Sequence, residues 1–296
     1  MAALKSMAIF CIGIGYFIYY LGWRWFYLRV VVRNKTARGK VHTKAYLALD
    51  ATTQLYYEVI DICQGPENNK ETLVLLHGGL TSITAWFSQL PFLARRYRVI
   101  CLDLRGQGRS TLGDLPFSYR LFSTDVFRLM DQLQIQRFHI AGWSDGGNTG
   151  LIAALDHPER IKSLVTVGSN YHYSGLKKTV KKDISTVETF SHPIMARLLY
   201  SIESSHPARW PELVKRTLAL WRDYPRLNES DLQKVETPTL NVMGEYDMVS
   251  RAHAENMSEY LPMGKLKIIS GRGHSLLFTE PKLISKMISD FILENN

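Results

Sequence analysis

Three residue types, in a fixed order along the chain, suggest covalent acyl chemistry: a serine between glycines, then a carboxylate, then a histidine in a glycine-rich loop. Ser144 lies in Gly142-Trp143-Ser144-Asp145-Gly146. Glycines two before and two after the serine remove the Cβ atoms that would collide in a sharp strand-to-helix turn. Such a turn makes the hydroxyl protrude, and the helix N-terminus beyond it favours negative charge developing nearby. A serine hydroxyl needs a base to become a nucleophile. The chain has nine histidines, so composition alone selects none. Order does, because serine elbows of this kind place the acid and then the base further along the chain. His274, in Gly271-Arg272-Gly273-His274-Ser275, is the expected base, and Asp247, at the end of Met243-Gly244-Glu245-Tyr246-Asp247, the acid that holds its tautomer. Glu245 is the alternative acid. His139 inside a strand and His157 before Pro158 read as structural.

Acyl transfer also needs two backbone N–H donors aimed at the developing oxyanion. Asp145, directly after the serine, supplies one. The second is expected from Leu75-Leu76-His77-Gly78-Gly79, which follows the apolar run Thr72–Leu76; Gly79 is the candidate, with Leu80 the neighbouring one. His77, at a strand end beneath this loop, reads as structural. Asp145 itself reads as an acid complementing a helix N-terminus, against a second reading in which it repels anionic acyl groups or attracts a substrate cation.

The elements that must carry these residues alternate. Short apolar runs at Thr72–Leu76, Arg98–Leu102, Phe138–Gly142, Ser163–Val167, Thr239–Met243 and Leu266–Ile269 read as strands, Thr72–Leu76 of the continuous apolar kind buried on both faces. Helical patterns fall between them, at Thr84–Arg95, Tyr119–Gln134, Gly146–Asp156, Arg251–Tyr260 and Leu276–Leu293. Tyr46–Leu49 and Leu55–Ile60 read as an opening hairpin. This predicts an α/β fold with a mostly parallel central sheet flanked by helices. Residues 170–236 break the rhythm with a helical, strand-free stretch, predicting a cap inserted between core segments 43–169 and 237–296. Trp210, Trp221, Met195 and Leu198 are candidates to line an acyl pocket there. Lys177, Lys178, Lys181 and Lys182 make a basic face, with anionic headgroups a second reading.

Five blocks in order, LLHGG, DLRGQGRS (103–110), GWSDGG, GEYD and GRGH, resemble the α/β-hydrolase superfamily from about residue 43 to the end. The GWSDGG elbow is similar to that of the valacyclovir hydrolase (biphenyl hydrolase-like) branch, whose members cleave small esters. Some members of the superfamily carry a carboxylate nucleophile; Ser144 points instead to ester, thioester or amide hydrolysis. The resemblance implies a serine ester hydrolase needing no metal or cofactor. An acyltransferase with the same triad and a non-catalytic binding protein retaining the fold are the alternatives. In this reading Asp103 and Arg105 fix loop conformation.

Composition bounds the remainder. The 296 residues, 46% apolar and 21% charged, suit one large domain. The net charge of +9 is local, with eight Lys/Arg within residues 1–44 and no acid before Asp50. It therefore does not imply nucleic acid. Met7 to Trp23 is 17 uncharged residues, followed by Trp25 and Tyr27 beside Arg24. Aromatics and a basic flank at the end of such a run predict a single-pass membrane anchor over residues 1–42. Bulky aromatics where a signal peptide would be cleaved argue against removal. Six Lys/Arg within residues 24–40 against Lys5 alone before the span predict a cytosolic catalytic part, at the endoplasmic reticulum or mitochondrial outer membrane. Three scattered cysteines fit a reducing compartment. The expected partners are a small-molecule or lipid ester and the membrane.

Overall fold

A computed structural model describes residues 41–61, 70–187, 190 and 194–296. Residues 1–40 of the expected membrane-anchor segment, Cys11 and Cys63 lie outside these residues. No helix among the described residues is long and apolar enough to cross a membrane.

Eight strands form one sheet: β1 (Val41–Ala48), β2 (Gln54–Asp61), β3 (Thr72–Leu76), β4 (Arg98–Leu102), β5 (Phe138–Trp143), β6 (Ile161–Val167), β7 (Thr239–Gly244) and β8 (Gly264–Ile269). Their spatial order is β1-β2-β4-β3-β5-β6-β7-β8. β2 runs antiparallel to both β1 and β4, and every other pairing is parallel. Strands β3, β5 and β7 are buried along their whole length, the burial that helices on both faces produce. β8, at the sheet's edge, alternates half-buried and exposed positions along most of its length.

Between the strands lie α1 (Leu90–Leu93), α2 (Tyr119–Gln132), α3 (Asp145–Asp156), α4 (Lys178–Asp183), α5 (Ile194–Glu203), α6 (Trp210–Asp223), α7 (Glu229–Leu232) and α8 (Arg251–Tyr260), and after β8 come α9 (Leu276–Thr279) and α10 (Pro281–Glu294). Ser118 caps α2 by accepting from the Leu121 amide, and the helix buries Phe122, Val126 and Leu129 at helical spacing. Two apolar clusters result. One contains Val74, Ile140 and Leu164 with α2, α3 and the 170–236 segment; the other contains Leu73, Ala141 and Val165 with α10. Successive strand residues thus face opposite layers.

Two expected helices differ. The run Thr84–Arg95 is a 3-10 turn at Ile83–Trp86 followed by the short α1, with Pro91 inside it. Leu276–Leu293 is split into α9 and α10 at Pro281, which lacks the N–H that would continue the first helix.

Register matters most for function. Leu76 pairs with Gly142, Trp143 with Val167, Val167 with Val242, and Gly244 with Ile269. The parallel strands therefore stop level with one another, and the loops after β3, β5, β6, β7 and β8 all emerge at the same edge. These loops carry Gly79, Ser144, Gly168, Asp247 and His274. The segment 170–236 leaves from β6 at that edge and returns to β7 as α4–α7.

Candidate active site

Ser144 joins β5 to α3 with φ 53° and ψ −117°, a conformation that side-chain-bearing residues avoid. Its amide donates to Val167 O at 2.8 Å, and its carbonyl accepts from the Gly147 and Asn148 amides at 2.9 and 3.0 Å. The flanking glycines allow the turn to close. A Cβ on Gly142 would lie 2.3 Å from Gly146 O, and one on Gly146 would lie 2.2 Å from Leu76 O. Backbone meets backbone at both points, so no side-chain adjustment could relieve either clash.

His274 lies in the loop after β8. Its Nδ1–H donates to Asp247 Oδ1 at 2.7 Å, which leaves Nε2 as the ring nitrogen open to other partners. Burial works to raise the Asp247 carboxyl, but the hydrogen bond and charge of His274, with the Val249 and Gly244 amides, hold it below the usual carboxylate range. The Trp143 indole donates to His274 O at 3.0 Å, and its ring lies 5.6 Å from the imidazole. Gly168 packs against the pair: with φ 64°, any Cβ there would lie 2.9 Å from His274 Nδ1 and 3.1 Å from Asp247 Oδ2. The sequence reading missed this glycine, although its position directly after strand β6 was the available signal. Glu245 does not join the group. It is exposed and accepts from Ser270 Oγ and the Gly271 amide, each at 2.8 Å.

A cavity of about 340 Å³ opens over these residues. Ser144, Asp145, Gly79, Leu80 and His274 line it from below, with Asp247 behind the imidazole. Leu176, Val180, Ile184, Phe190 and Trp221 close it from the 170–236 segment. Of the expected pocket residues, Trp221 is there. Trp210 instead packs on Tyr200 inside the helical segment, and Leu198 faces solvent. Met195 is not among the lining residues, and Ala196 is. Leu80 holds φ 57° in the loop after β3, a strained position that no glycine or turn signal announced. Asp145 is buried, and its carboxylate accepts from Tyr119 Oη at 2.9 Å and Trp221 Nε1 at 2.9 Å. Burial pushes it up to about 6, against those two hydrogen bonds. A helix N-terminus alone does not account for this acid. Its partners come from α2 and α6, which local sequence could not reveal.

The chain has clear relatives. A family model described as the α/β hydrolase fold matches residues 71–191. Serine hydrolase BPHL of Mus musculus is 27% identical over 266 residues, covering 86% of this chain and 88% of that protein. A pimeloyl-[acyl-carrier protein] methyl ester esterase of Aeromonas hydrophila is 28% identical over 256 residues, covering 77% and 96%. The crystal structure of a naproxen esterase from Bacillus subtilis superposes with a TM-score of 0.64 at 19% identity, over 90% of this chain and 96% of that one. Residues 71–191 thus match the α/β-hydrolase family, and the chain shares the fold of these hydrolases over most of its length.

The remaining conspicuous groups of this α/β-hydrolase fold brace its loops. His77 is fully buried; its Nε2 accepts from the Leu104 amide at 2.9 Å and its Nδ1–H donates to Gly78 O at 2.8 Å, tying the loop after β3 to the loop after β4. Asp103 accepts from the Ile83 and Arg109 amides at 2.7 and 2.8 Å. Burial pushes its carboxyl up to about 7, against the pull of Arg109. Arg105 makes a two-pronged buried pair with Asp125 of α2. These contacts agree with structural roles for His77, Asp103 and Arg105. Burial also holds the His77 imidazole down to about 4. Between pH 6.5 and 4 the unfolded chain therefore takes up a proton at this position that the folded chain refuses, and stability falls as pH falls through that window. Replacing His77 with Gln keeps an acceptor for Leu104. It should flatten the pH dependence of the unfolding free energy between pH 5 and 6 by close to one proton, about 1.4 kcal/mol per pH unit. Urea unfolding at both pH values measures this, and equal slopes would show that His77 is already charged in the folded protein.

Proposed function

We propose that the protein is a membrane-anchored serine esterase that cleaves carboxylic esters through an acyl-enzyme on Ser144. Its relatives across most of their length are hydrolases and esterases, and the protein is a hydrolase acting on esters in that broad sense. The observation that carries the finer reading is the His274–Asp247 hydrogen bond, 2.7 Å long, at the same cavity as a serine held on a strained elbow.

The steps follow from that geometry. His274 Nε2 accepts the Ser144 proton as Oγ attacks the ester carbonyl, forming a tetrahedral oxyanion. The Asp247 carboxylate keeps the proton on Nδ1 and stabilises the imidazolium. The amides of Gly79 and Asp145 receive the oxyanion; the first amides of α3 have no acceptor within the helix. Collapse releases the alcohol, which takes the proton from Nε2 and leaves the acyl group on Ser144. Water, deprotonated by His274, then repeats the sequence to release the acid.

The cavity wall is largely apolar and suits an uncharged acyl group. Among the described residues the lining includes the acids Asp145 and Asp183 and no Lys or Arg, so an acyl chain ending in a carboxylate is disfavoured. The anchor rests on the apolar run Met7–Trp23 and its basic flank. It would hold the site near a bilayer, where lipid esters are available.

A fluorophosphonate probe should label the wild-type protein, and Ser144→Ala should abolish both labelling and ester turnover. Asp247→Asn should lower kcat by roughly a thousandfold or more while the fold survives. Unlabelled wild-type protein, or turnover that survives at Ser144→Ala, would remove the serine mechanism. A transfer product exceeding free acid in the presence of an added alcohol would make the protein an acyltransferase. For topology, a C-terminal tag on microsomes or mitochondria should be digested by added protease; a protected tag would reverse the proposed orientation.

A further inference from the structure

We propose that Trp221, on cap helix α6, is a positioning residue that holds the two oxyanion-hole residues in register, so that the cap completes the catalytic electrostatics as well as covering the substrate. The proposal rests on Gly79 and Asp145 being the two amide donors.

Trp221 Nε1 lies 2.9 Å from both carboxylate oxygens of Asp145, donating between them, and Tyr119 Oη donates to Oδ1 at 2.9 Å. A buried carboxylate without a salt bridge needs such donors, and Asp145 has no salt bridge among the described residues. The indole also packs where Gly79 lacks a side chain. A Cβ on Gly79 would lie 2.3 Å from Asp145 Oδ2 and 2.5 Å from Trp221 Cζ2. Gly79, the Asp145 carboxylate and the indole therefore form one wedge. The Asp145 side chain is fixed by the indole, and the Gly79 backbone is pressed against both. Neither amide-bearing residue can shift without disturbing the other or the cap. Phe190, whose ring meets Trp221 edge-on at 6.0 Å, packs against the indole.

Donors that must meet an oxyanion tolerate little displacement, and losing one outright typically costs 10²–10³ in kcat. Loosening both amides should cost less than that. The test uses the full-length protein with p-nitrophenyl butyrate, with rates expressed per site titrated by a fluorophosphonate. Trp221→Phe keeps the ring and removes the donor. It should lower kcat by about ten- to fiftyfold with KM changed less than threefold. Affinity for a trifluoromethyl ketone, which forms a tetrahedral adduct on the serine, should fall in step with kcat/KM, whereas inhibition by the product butyrate should change little. Asp145→Leu should lose about as much, and Asp145→Asn, which keeps an acceptor for both donors, should lose less than threefold. The double variant Trp221→Phe/Asp145→Leu should be no worse than Asp145→Leu alone, because the pair acts as one unit.

Trp221→Phe with kcat intact and both KM and butyrate inhibition weakened would overturn the proposal, leaving Trp221 as an acyl-pocket wall. Asp145→Asn that spares p-nitrophenyl butyrate but selectively removes turnover of amino-bearing acyl esters, with Trp221→Phe silent, would overturn it too and give the carboxylate to the substrate. Failure of the esterase reading is separately visible, as wild-type protein that the fluorophosphonate does not label.

Discussion

The structure depends on one tight turn. A residue with a side chain sits at φ 53° between β5 and α3, and the strain is balanced by contacts that leave no room for a Cβ on either flank. Helix α3 begins against the carbonyl of Leu76 because Gly146 allows it, and Ser144 itself is hydrogen-bonded to the end of β6. The neighbouring strands must therefore stop where they do. If β3 or β6 slipped by two residues, the turn would lose the backbone it presses on, and the loops after β3, β7 and β8 would no longer surround one hydroxyl.

Loops at that edge carry the residues proposed to do the chemistry, and buried hydrogen bonds tie these loops to one another. His77 joins the loop after β3 to the one after β4, and Asp103 gathers amides from both. Arg109 lies between Asp103 and Glu203, and Glu203, from helix α5, also accepts from Ser82 Oγ at 2.7 Å. Polar contacts of this kind fix geometry more than they add stability, since each ion pair must first be stripped of water. Gly168, Trp143 and Asp247 do the same for the imidazole on the other side of the cavity. The cap thus meets the core through specific hydrogen bonds, at Glu203 and at Trp221, in addition to apolar packing.

Much of this was legible beforehand because the signals were local. Apolar runs of five or six residues marked the buried strands, and a glycine-flanked serine between such a strand and a helical pattern marked the elbow. A carboxylate just past one late strand and a histidine in the glycine-rich loop past the next marked Asp247 and His274 as candidates. What escaped was tertiary. Nothing near Asp145 in the sequence says that α2 and α6 would supply its donors. Leu80 at φ 57° carries no turn signature, because its conformation is imposed by the loops packed around it. Trp210, Leu198 and Trp221 share a composition and a helical setting, and only packing decides that one faces the cavity, one the helix core and one the solvent.

The claim that one hydroxyl, one imidazole and two amides act together is tested most directly by trapping the intermediate. Protein quenched in acid during turnover of a slowly hydrolysed p-nitrophenyl ester should carry one acyl group, and peptide mass mapping should place it on Ser144. In His274→Ala the adduct should fail to accumulate. An acyl group on any other residue, or steady turnover with no adduct at any ester concentration, would contradict the account.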